Sequence, residues 1–202
     1  MKKVAVLLSG RGSNFLALSD AINNGEIPAE IVLVISNIED AVGLKRARER
    51  GYKTLFIKSK GRDREEFDRE VVAELEKAEV DFICLAGFMR LLSDYFVSRF
   101  PMRILNIHPA LLPAFTGLHA QQQALEWGVK VAGCTVHFVD EKLDHGPIII
   151  QKQVPVLDSD TVDILSARIL VQEHKAYPEA LKIACEGNFS LDGRRLCLQE
   201  KK

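Results

Sequence analysis

The sequence lacks the features that would place the chain in a membrane, in an oxidising compartment or on nucleic acid. None of its apolar runs approaches the ~20 residues that cross a bilayer, and none of its four cysteines forms a CxxC pair. Its 27 Lys and Arg residues are balanced by 28 Asp and Glu residues, whereas a dedicated nucleic-acid-binding protein shows a strong basic excess. We therefore predict a cytoplasmic protein with reduced thiols that binds neither membranes nor nucleic acid.

Signatures of several large enzyme classes are also missing. The chain has no HExxH or HxH spacing and no Cys/His cluster, so we expect no metal cofactor. The glycine-rich loop near the start matches neither the Rossmann GxGxxG fingerprint nor the GK[ST] ending of a Walker loop, which argues against NAD and ATP. A GxSxG nucleophile elbow is absent as well, which argues against a serine hydrolase.

Apolar runs and helical periodicity alternate through the first half of the chain. Buried strands are predicted at 3–9, 31–36, 54–57, 80–88 and 103–108. Helices are predicted between them at 14–24, 41–51 and 62–78. Strands that alternate with helices form βαβ units around a parallel sheet. With 202 residues, 47% of them apolar, the chain has the size and composition of one packed domain.

The pattern changes after His108. Two strands, 131–139 and 147–156, follow without a helix-length insert and are expected to pair antiparallel. A long helix is predicted over 161–184, with Pro178 expected to kink or break it. We therefore predict a single α/β domain over residues 1–202. It would contain a Rossmann-like, mostly parallel sheet flanked by helices, with antiparallel strands at its C-terminal side.

The first candidate site is the loop Ser9–Asn14, which joins the first strand to the first helix. Backbone N–H groups that glycine leaves accessible, together with the positive end of a helix dipole, favour phosphate. The alternative is an ordinary tight turn in which Ser13 or Asn14 caps the helix. Arg11 would either add positive charge to a phosphate site or simply be exposed to solvent.

The second candidate site is Asn106 and His108, at the end of the fifth strand. Alternate residues of a strand project to the same side, and ligands bind at the carboxyl ends of strands in open α/β sheets. An amide donor beside an imidazole suits stabilisation of an oxyanion combined with proton transfer. The alternative is a structural Asn that caps a loop and a His that bonds a backbone carbonyl.

The third candidate site is DEKLDHGP, residues 140–147, between the last two predicted strands. Two aspartates and a Gly-Pro end are typical of a turn, which is the interpretation that pattern alone favours. Either Asp140 or Asp144 could nevertheless reach His108, where a carboxylate would favour the charged imidazolium and fix the ring. The spacing does not choose between the two aspartates.

These segments, together with LAGFMRLL, ILNIHPALLP, GCTVHFVDEKLDHGPIIIQ and QEH, resemble the glycinamide ribonucleotide formyltransferase family. The resemblance runs from about Lys3 to Tyr177, and the NIHP segment belongs to a wider group of 10-formyltetrahydrofolate enzymes. It implies that a formyl group passes from 10-formyltetrahydrofolate, the co-substrate, to the amine of 5′-phosphoribosylglycinamide in purine biosynthesis. It further implies that the reaction needs neither a metal ion nor a covalent enzyme intermediate.

The resemblance also implies roles for individual residues. Asn106 would hydrogen-bond the formyl oxygen, and His108 would act on the tetrahedral intermediate as a charged donor. Asp144 would pair with His108 and move protons through water. The first half of the chain, about 1–100, would bind phosphate, and the second, about 101–190, would carry catalysis and folate binding.

Substrate contacts follow from the same resemblance. The ribose phosphate would be held by the loop residues Arg11, Gly12, Ser13 and Asn14, and Glu173 would bind the ribose hydroxyls. The implied folate contacts are Met89, Arg90, Leu91, Leu92, Asn106, Val139 and Asp140.

Three further positions follow from comparing this chain with the family pattern. Ala110 stands where the family usually has Ser, and Gln121 stands where many members carry His. These departures bear on substrate affinity more than on the type of reaction. The resemblance also implies a cis peptide bond before Pro113.

Two other functions remain open at this point. A related hydrolase would pass the formyl group to water; it would lack the GRGSN loop and often carries a regulatory domain before the first strand, for which we expect no room here. A non-catalytic phosphate-binding module would not need Asn106 and His108 on one face. We expect small-molecule substrates as the partners, and a monomer or homodimer.

Overall fold

The computed structural model describes residues 1–199. The chain divides into two compact units, one from Met1 to Asn106 and one from Ile107 onward. The division falls inside the strand that carries Asn106 and His108. The separate roles expected for the two halves stay predictions.

The first unit is built from parallel strands with helices between them. Its strands are β1 (Lys2–Leu8), β2 (Ala29–Ser36), β3 (Thr54–Phe56), β4 (Phe82–Leu85) and β5 (Ile104–His108). Its helices are α1 (Ser13–Asn23), α2 (Val42–Glu49), α3 (Arg64–Lys77) and α4 (Asp94–Arg99). The strands lie in the order β3-β2-β1-β4-β5, and each neighbouring pair is parallel. The carboxyl ends of β1 and β4 therefore meet at one edge.

The core of the first unit follows from its apolar patterning. Every residue from Val4 to Leu8 is fully buried, as expected for a strand of a sheet covered on both faces. On α3 the apolar positions Phe67, Val71 and Leu75 are fully buried, while most of the charged positions between them face outward, with Asp68 as the buried exception. Asp63 caps this helix, because its carboxylate accepts hydrogen bonds from the backbone N–H groups of two first-turn residues.

The second unit combines a helix-covered strand pair with a C-terminal hairpin. Its elements are α5 (Ala120–Trp127), β6 (Val131–Phe138), β7 (Ile148–Pro155), α6 (Val162–Glu186), β8 (Phe189–Asp192) and β9 (Arg195–Leu198). Strands β6 and β7 are antiparallel, and α6 packs on both of them. Strand β9 is parallel to β7 and antiparallel to β8. The parallel strands of the first unit and the antiparallel pair of the second confirm the predicted α/β fold.

Pro178 was expected to kink or break helix α6, and the break does not occur. The proline lies inside one continuous helix, Val162–Glu186, and does not break it. Proline removes one backbone hydrogen bond. On either side of it, however, Tyr177 and Leu181 are fully buried, so both halves of the helix are held against the core. Packing of this kind outweighs the local preference of a single residue.

Other differences concern boundaries and short elements. The strand predicted at 80–88 is only four residues long, Phe82–Leu85, and residues 89–92 lie in the loop that follows. Helices α4 and α5 and the β8–β9 hairpin were not predicted from the sequence. Within residues 1–199, no helix is long and apolar enough to span a membrane.

Candidate functional site

The glycine-rich loop after β1 is tightly packed against the start of α2. Gly12 has a φ of 73°, and a Cβ on it would lie 2.6 Å from the Cα of Gly43. Gly43 also donates its N–H to the carbonyl of Gly10 over 2.9 Å. Only glycine fits at Gly12, because the position demands both the left-handed region and room for the neighbouring backbone. The close approach of this loop to α2 therefore depends on glycine at positions 12 and 43.

The same loop leads into helix α1, and Gly12 occupies the N-cap position of that helix. Because glycine has no side chain, it supplies no side-chain cap. The Arg11 side chain is exposed, and its backbone carbonyl accepts a hydrogen bond from Arg46 over 3.0 Å. Asn14 is buried and Ser13 is half-buried. A helix N-terminus that follows a glycine N-cap, together with the helix dipole, gives the loop the properties of an anion site.

The same loop is joined to the segment that follows β4. The hydroxyl of Ser9 accepts the N–H of Met89 over 2.8 Å and donates to the side-chain oxygen of Asn37 over 2.6 Å. Ser9 also donates its N–H to the carbonyl of Gly87. The predicted phosphate loop and the first residue of the predicted folate segment, Met89–Leu92, are thus in direct contact at the carboxyl ends of β1 and β4.

The segment Met89–Leu92 presents apolar side chains to solvent. Met89 is 70% exposed and Leu91 is 53% exposed, whereas Leu92 is half-buried. The guanidinium of Arg90 lies 5.0 Å from the centre of the Phe67 ring. Two exposed apolar side chains within one short segment are a feature of surfaces that bind ligands or other proteins.

His108 and Asp144 lie together in the second unit, and both are almost inaccessible to solvent. The Nδ1 atom of His108 is 3.5 Å from Oδ2 of Asp144, and the side chains are 6% and 8% exposed. The other ring nitrogen, Nε2, is 2.8 Å from the carbonyl of Phe115. Because a carbonyl only accepts, Nε2 carries a proton, which leaves Nδ1 directed at the carboxylate.

The choice between the two aspartates of the 140–147 loop is made by backbone conformation. Asp144 has a φ of 48° and accepts the N–H of Gly117 on Oδ2 over 2.8 Å. Asp140 instead binds Nδ1 of His145 over 2.7 Å. The acid that faces His108 is therefore Asp144. The interpretation of this segment as a plain turn, which pattern alone favoured, misses that contact.

The loop 109–117 supplies the backbone groups that hold this pair, since it carries both the Phe115 carbonyl and the Gly117 N–H. Its own anchor is the buried hydroxyl of Thr135 on β6. That hydroxyl donates to the carbonyl of Ala110 over 2.7 Å and accepts the N–H of Leu112 over 3.0 Å. The peptide bond between Leu112 and Pro113 is cis, as the family resemblance implies. Thr135 is a positioning residue that the sequence analysis missed.

His137 is a second residue that the sequence analysis missed. Its Nε2 lies 3.9 Å from Oδ1 of Asp144, and its Nδ1 donates to the carbonyl of Phe138 over 2.8 Å. Burial lowers the pKa of His137, and the bond to Phe138 and the charge of Asp144 oppose that shift. The available signal was the alternation Thr135, His137 along β6, which repeats the spacing of Asn106 and His108.

Three further candidate residues lie on β5, just after β6 and on α6. Asn106 is half-buried on β5, two residues before His108. Glu173 is buried on α6, and Val139 is half-buried just after β6.

Burial raises the pKa of Cys134 to about 12, with the charge of Glu173 contributing in the same direction. Cys134 is therefore a neutral thiol and not a nucleophile. Within residues 1–199, no group of three His, Cys, Asp or Glu side chains is arranged to hold a metal.

Acidification is expected to destabilise the protein through His137. Its pKa is lowered in the folded state, so the unfolded chain takes up the proton first as the pH falls. The resulting stability is complete above ~6.5, the ordinary histidine pKa, and is lost as the pH falls through the folded-state value. Urea unfolding at pH 7.5 and 5.5 should show a smaller loss of unfolding free energy in His137→Asn than in the wild type. Part of the loss should persist, since burial lowers the pKa of His174 as well.

An exposed histidine provides the control for this measurement. His119→Asn should keep the wild-type pH dependence, because His119 is exposed and asparagine tolerates its positive φ of 60°. Equal losses of stability in the wild type and in His137→Asn would contradict the role given to His137.

Comparison with known proteins extends these local observations to the whole chain. Residues 2–181 match the protein family described as formyl transferase. Phosphoribosylglycinamide formyltransferase from Escherichia coli K12 is 44% identical over 201 residues, covering 96% of this chain and 95% of that protein. The crystal structure of glycinamide ribonucleotide transformylase 1 from Symbiobacterium toebii is 49% identical, with a TM-score of 0.97 over 99% of this chain and 95% of that one.

A second group of relatives consists of much longer proteins. The human trifunctional purine biosynthetic protein adenosine-3 is 47% identical over 197 residues, which cover 96% of this chain but only 20% of that protein. The chain thus spans a fifth or less of these relatives, with 14% covered in the Drosophila melanogaster protein. Their similarity to this chain is confined to that part.

Proposed function

Because the chain belongs to the formyl transferase family, we propose that it transfers a formyl group from 10-formyltetrahydrofolate to the amine of 5′-phosphoribosylglycinamide. The products are formylglycinamide ribonucleotide and tetrahydrofolate, and the reaction is a step of purine biosynthesis. The observation that carries this proposal is the buried pair of His108 and Asp144 at the end of β5. A family member without catalytic activity would have no need to keep an imidazole and a carboxylate together out of solvent.

The proposed chemistry is direct attack of the substrate amine on the formyl carbon. The carbonyl oxygen gains negative charge as the tetrahedral intermediate forms. The imidazolium form of His108 would place a positive charge beside this oxyanion in a site shielded from bulk solvent, where charge stabilisation is strongest. The side-chain amide of Asn106 donates a hydrogen bond to the same oxygen. Alternation along β5 directs both side chains to one side of the strand.

Proton transfer completes the reaction. The attacking amine must lose a proton, and the N10 nitrogen of the folate must gain one as the carbon–nitrogen bond breaks. Asp144 accepts the first proton, through water, and its position beside His108 lets the pair pass a proton to the leaving nitrogen. The separation of 3.5 Å between Nδ1 and Oδ2 lies at the outer limit of a hydrogen bond, so the two groups are not locked to each other. These roles need no metal ion and no covalent intermediate.

The binding residues are proposed on two grounds. The helix N-terminus at Gly12, Ser13 and Asn14, with Arg11 beside it, supports binding of the ribose phosphate through its dipole and its glycine-rich backbone. Glu173 is proposed to bind the ribose hydroxyls, because a carboxylate accepts hydrogen bonds from a diol.

Folate is proposed to lie against Met89, Arg90, Leu91 and Leu92, and against Asn106, Val139 and Asp140. The exposed apolar side chains of the first segment support this assignment. The cytoplasmic location and the monomeric or homodimeric state stay predictions.

A formyl-transfer assay with purified protein tests the proposal. Formation of tetrahydrofolate is followed by its absorbance, with and without phosphoribosylglycinamide. We expect turnover only when both substrates are present. Turnover without the amine would instead identify a hydrolase that passes the formyl group to water. Binding of both substrates without turnover would identify a non-catalytic module.

Replacement of Asn106 tests the proposed oxyanion contact. Asn106→Ala should lower kcat about 100-fold, the effect of losing one preorganised donor. Asn188→Ala, at an exposed position before β8, is the matched control and should keep the wild-type rate. Steady-state kinetics measures both, and an unchanged kcat in Asn106→Ala would remove this residue from the mechanism.

A further inference from the structure

Asp68 is a fully buried carboxylate in the middle of helix α3, and the proposed mechanism does not use it. Its Oδ2 accepts the backbone N–H of Ser93 over 2.6 Å. Its Oδ1 has no hydrogen-bond partner within residues 1–199. A buried carboxylate that is only half satisfied costs free energy, so it is a poor device for stability alone. Its contact with Ser93 therefore calls for another explanation.

Ser93 lies directly after the proposed folate segment, Met89–Leu92. It is the N-cap of helix α4, where its hydroxyl accepts the N–H of Phe96. The bond from Asp68 thus fixes the point at which the segment ends and α4 begins. Asp68 itself is held rigidly, because it lies on a helix whose neighbouring residues are packed into the core.

The residue before Asp68 holds the other end of the same segment. The ring of Phe67 stacks on Phe88 with centroids 6.4 Å apart and an interplanar angle of 20°. The guanidinium of Arg90 also lies over the Phe67 ring, 5.0 Å from its centre. Phe67 and Asp68 are consecutive residues of α3. Between them they contact the residue before Met89–Leu92, one residue within it and the residue after it.

We propose that Asp68 is a positioning residue for folate binding, which acts by holding the N–H of Ser93 and with it the conformation of Met89–Leu92. This inference rests on the proposed function, because it assigns the segment to the folate. The segment Met89–Leu92 is then held in its binding conformation before folate binds. Folate binding therefore does not have to supply the free energy of ordering this segment. Burial raises the pKa of Asp68, while the bond from Ser93 and the charge of Arg90 oppose that shift. Either protonation state keeps an oxygen that accepts from Ser93.

Asp68→Ala and Asp68→Asn separate the positioning role from the catalytic one. Calorimetric titration with tetrahydrofolate should give a Kd raised at least ~5-fold in Asp68→Ala, with the affinity for phosphoribosylglycinamide within about twofold of wild type. Asp68→Asn should regain most of the folate affinity, because its amide oxygen accepts the same N–H. Unchanged folate affinity in Asp68→Ala, equal losses for both ligands, or failure of Asn to rescue would each overturn the proposal.

Two further variants exclude a general loss of stability and failure to fold. Asp63→Ala removes the cap of the same helix, so it should lower the Tm yet keep wild-type affinity for tetrahydrofolate. Ser93→Pro removes the N–H instead of its acceptor, together with the hydroxyl that caps α4, at a φ of −78° that proline adopts, and it should weaken tetrahydrofolate binding at least as much as Asp68→Ala does. Weaker folate binding in Asp63→Ala, or none in Ser93→Pro, would contradict the positioning role.

Hydrogen exchange separates this inference from the proposed function. The amide of Ser93 should exchange at least ~10-fold faster in Asp68→Ala than in wild type, and at the wild-type rate in Asp63→Ala. If the wild-type protein fails to bind tetrahydrofolate, the proposed function is wrong, and the folate role of Asp68 is wrong with it. Normal folate binding with unchanged exchange at Ser93 would refute the inference alone.

Discussion

His108→Ala is expected to lower kcat about 1,000-fold, within the range for loss of a general acid or base. The substitution removes the charge proposed to stabilise the oxyanion and also leaves Asp144 without its neighbour at 3.5 Å. Substrate affinities should change far less, because the contact with the oxyanion exists only after the amine has attacked. Steady-state kinetics under saturating folate and phosphoribosylglycinamide measures kcat directly.

His119→Asn is the matched control for this experiment, since His119 is exposed on the loop before α5. It should leave kcat unchanged. His108→Gln tests charge against hydrogen bonding: a glutamine amide donates a hydrogen bond but carries no positive charge, so its rate should stay close to that of the alanine variant. A rate in His108→Ala within about tenfold of wild type would exclude His108 as the acid of the reaction.

The alternating core of the first unit could be predicted because each element carries its own apolar pattern. The run Val4–Leu8 is apolar without interruption, which only a strand buried on both faces requires. The stripe on α3 repeats at helical spacing through Phe67, Val71 and Leu75. Pro178 shows the limit of local preferences, because the packing of α6 on β6 and β7 is absent from any short window of sequence.

Two of the three unpredicted elements, α5 and the β8–β9 hairpin, escaped prediction for different reasons. Helix α5 buries only two small residues, Ala120 and Ala124, so it has no apolar stripe that a periodicity search would detect. The β8–β9 hairpin is short and mostly exposed, yet its turn is signalled by Gly193, which follows Asp192 and has a φ of 57°. The residue types of its turn could therefore have predicted the hairpin, whereas α5 depends mainly on tertiary contacts.

Part of the candidate site could be predicted from strand alternation, and part of it depends on backbone conformation that the sequence does not indicate. Asn106 and His108 follow from strand alternation, and Thr135 and His137 could have been found by the same rule on β6. The choice of Asp144 over Asp140 could not, because it depends on a left-handed backbone at Asp144. The contacts made by the Phe115 carbonyl and the Gly117 N–H could not be predicted either, because residue types do not indicate where the backbone groups of an irregular loop point.

Asp144→Asn is expected to lower kcat about 1,000-fold, as does loss of the histidine, because the proposed proton acceptor disappears while the shape is kept. The asparagine oxygen can still accept the N–H of Gly117, so the loop should retain its conformation and the variant its Tm. Asp158→Asn is the matched control: its side chain is 95% exposed and should leave kcat unchanged. The double variant His108→Ala/Asp144→Asn should be no slower than either single variant by more than about tenfold, because residues that act as a unit lose their effect together. Multiplicative losses in the double variant would show that the two residues act independently, contrary to the proposed pair.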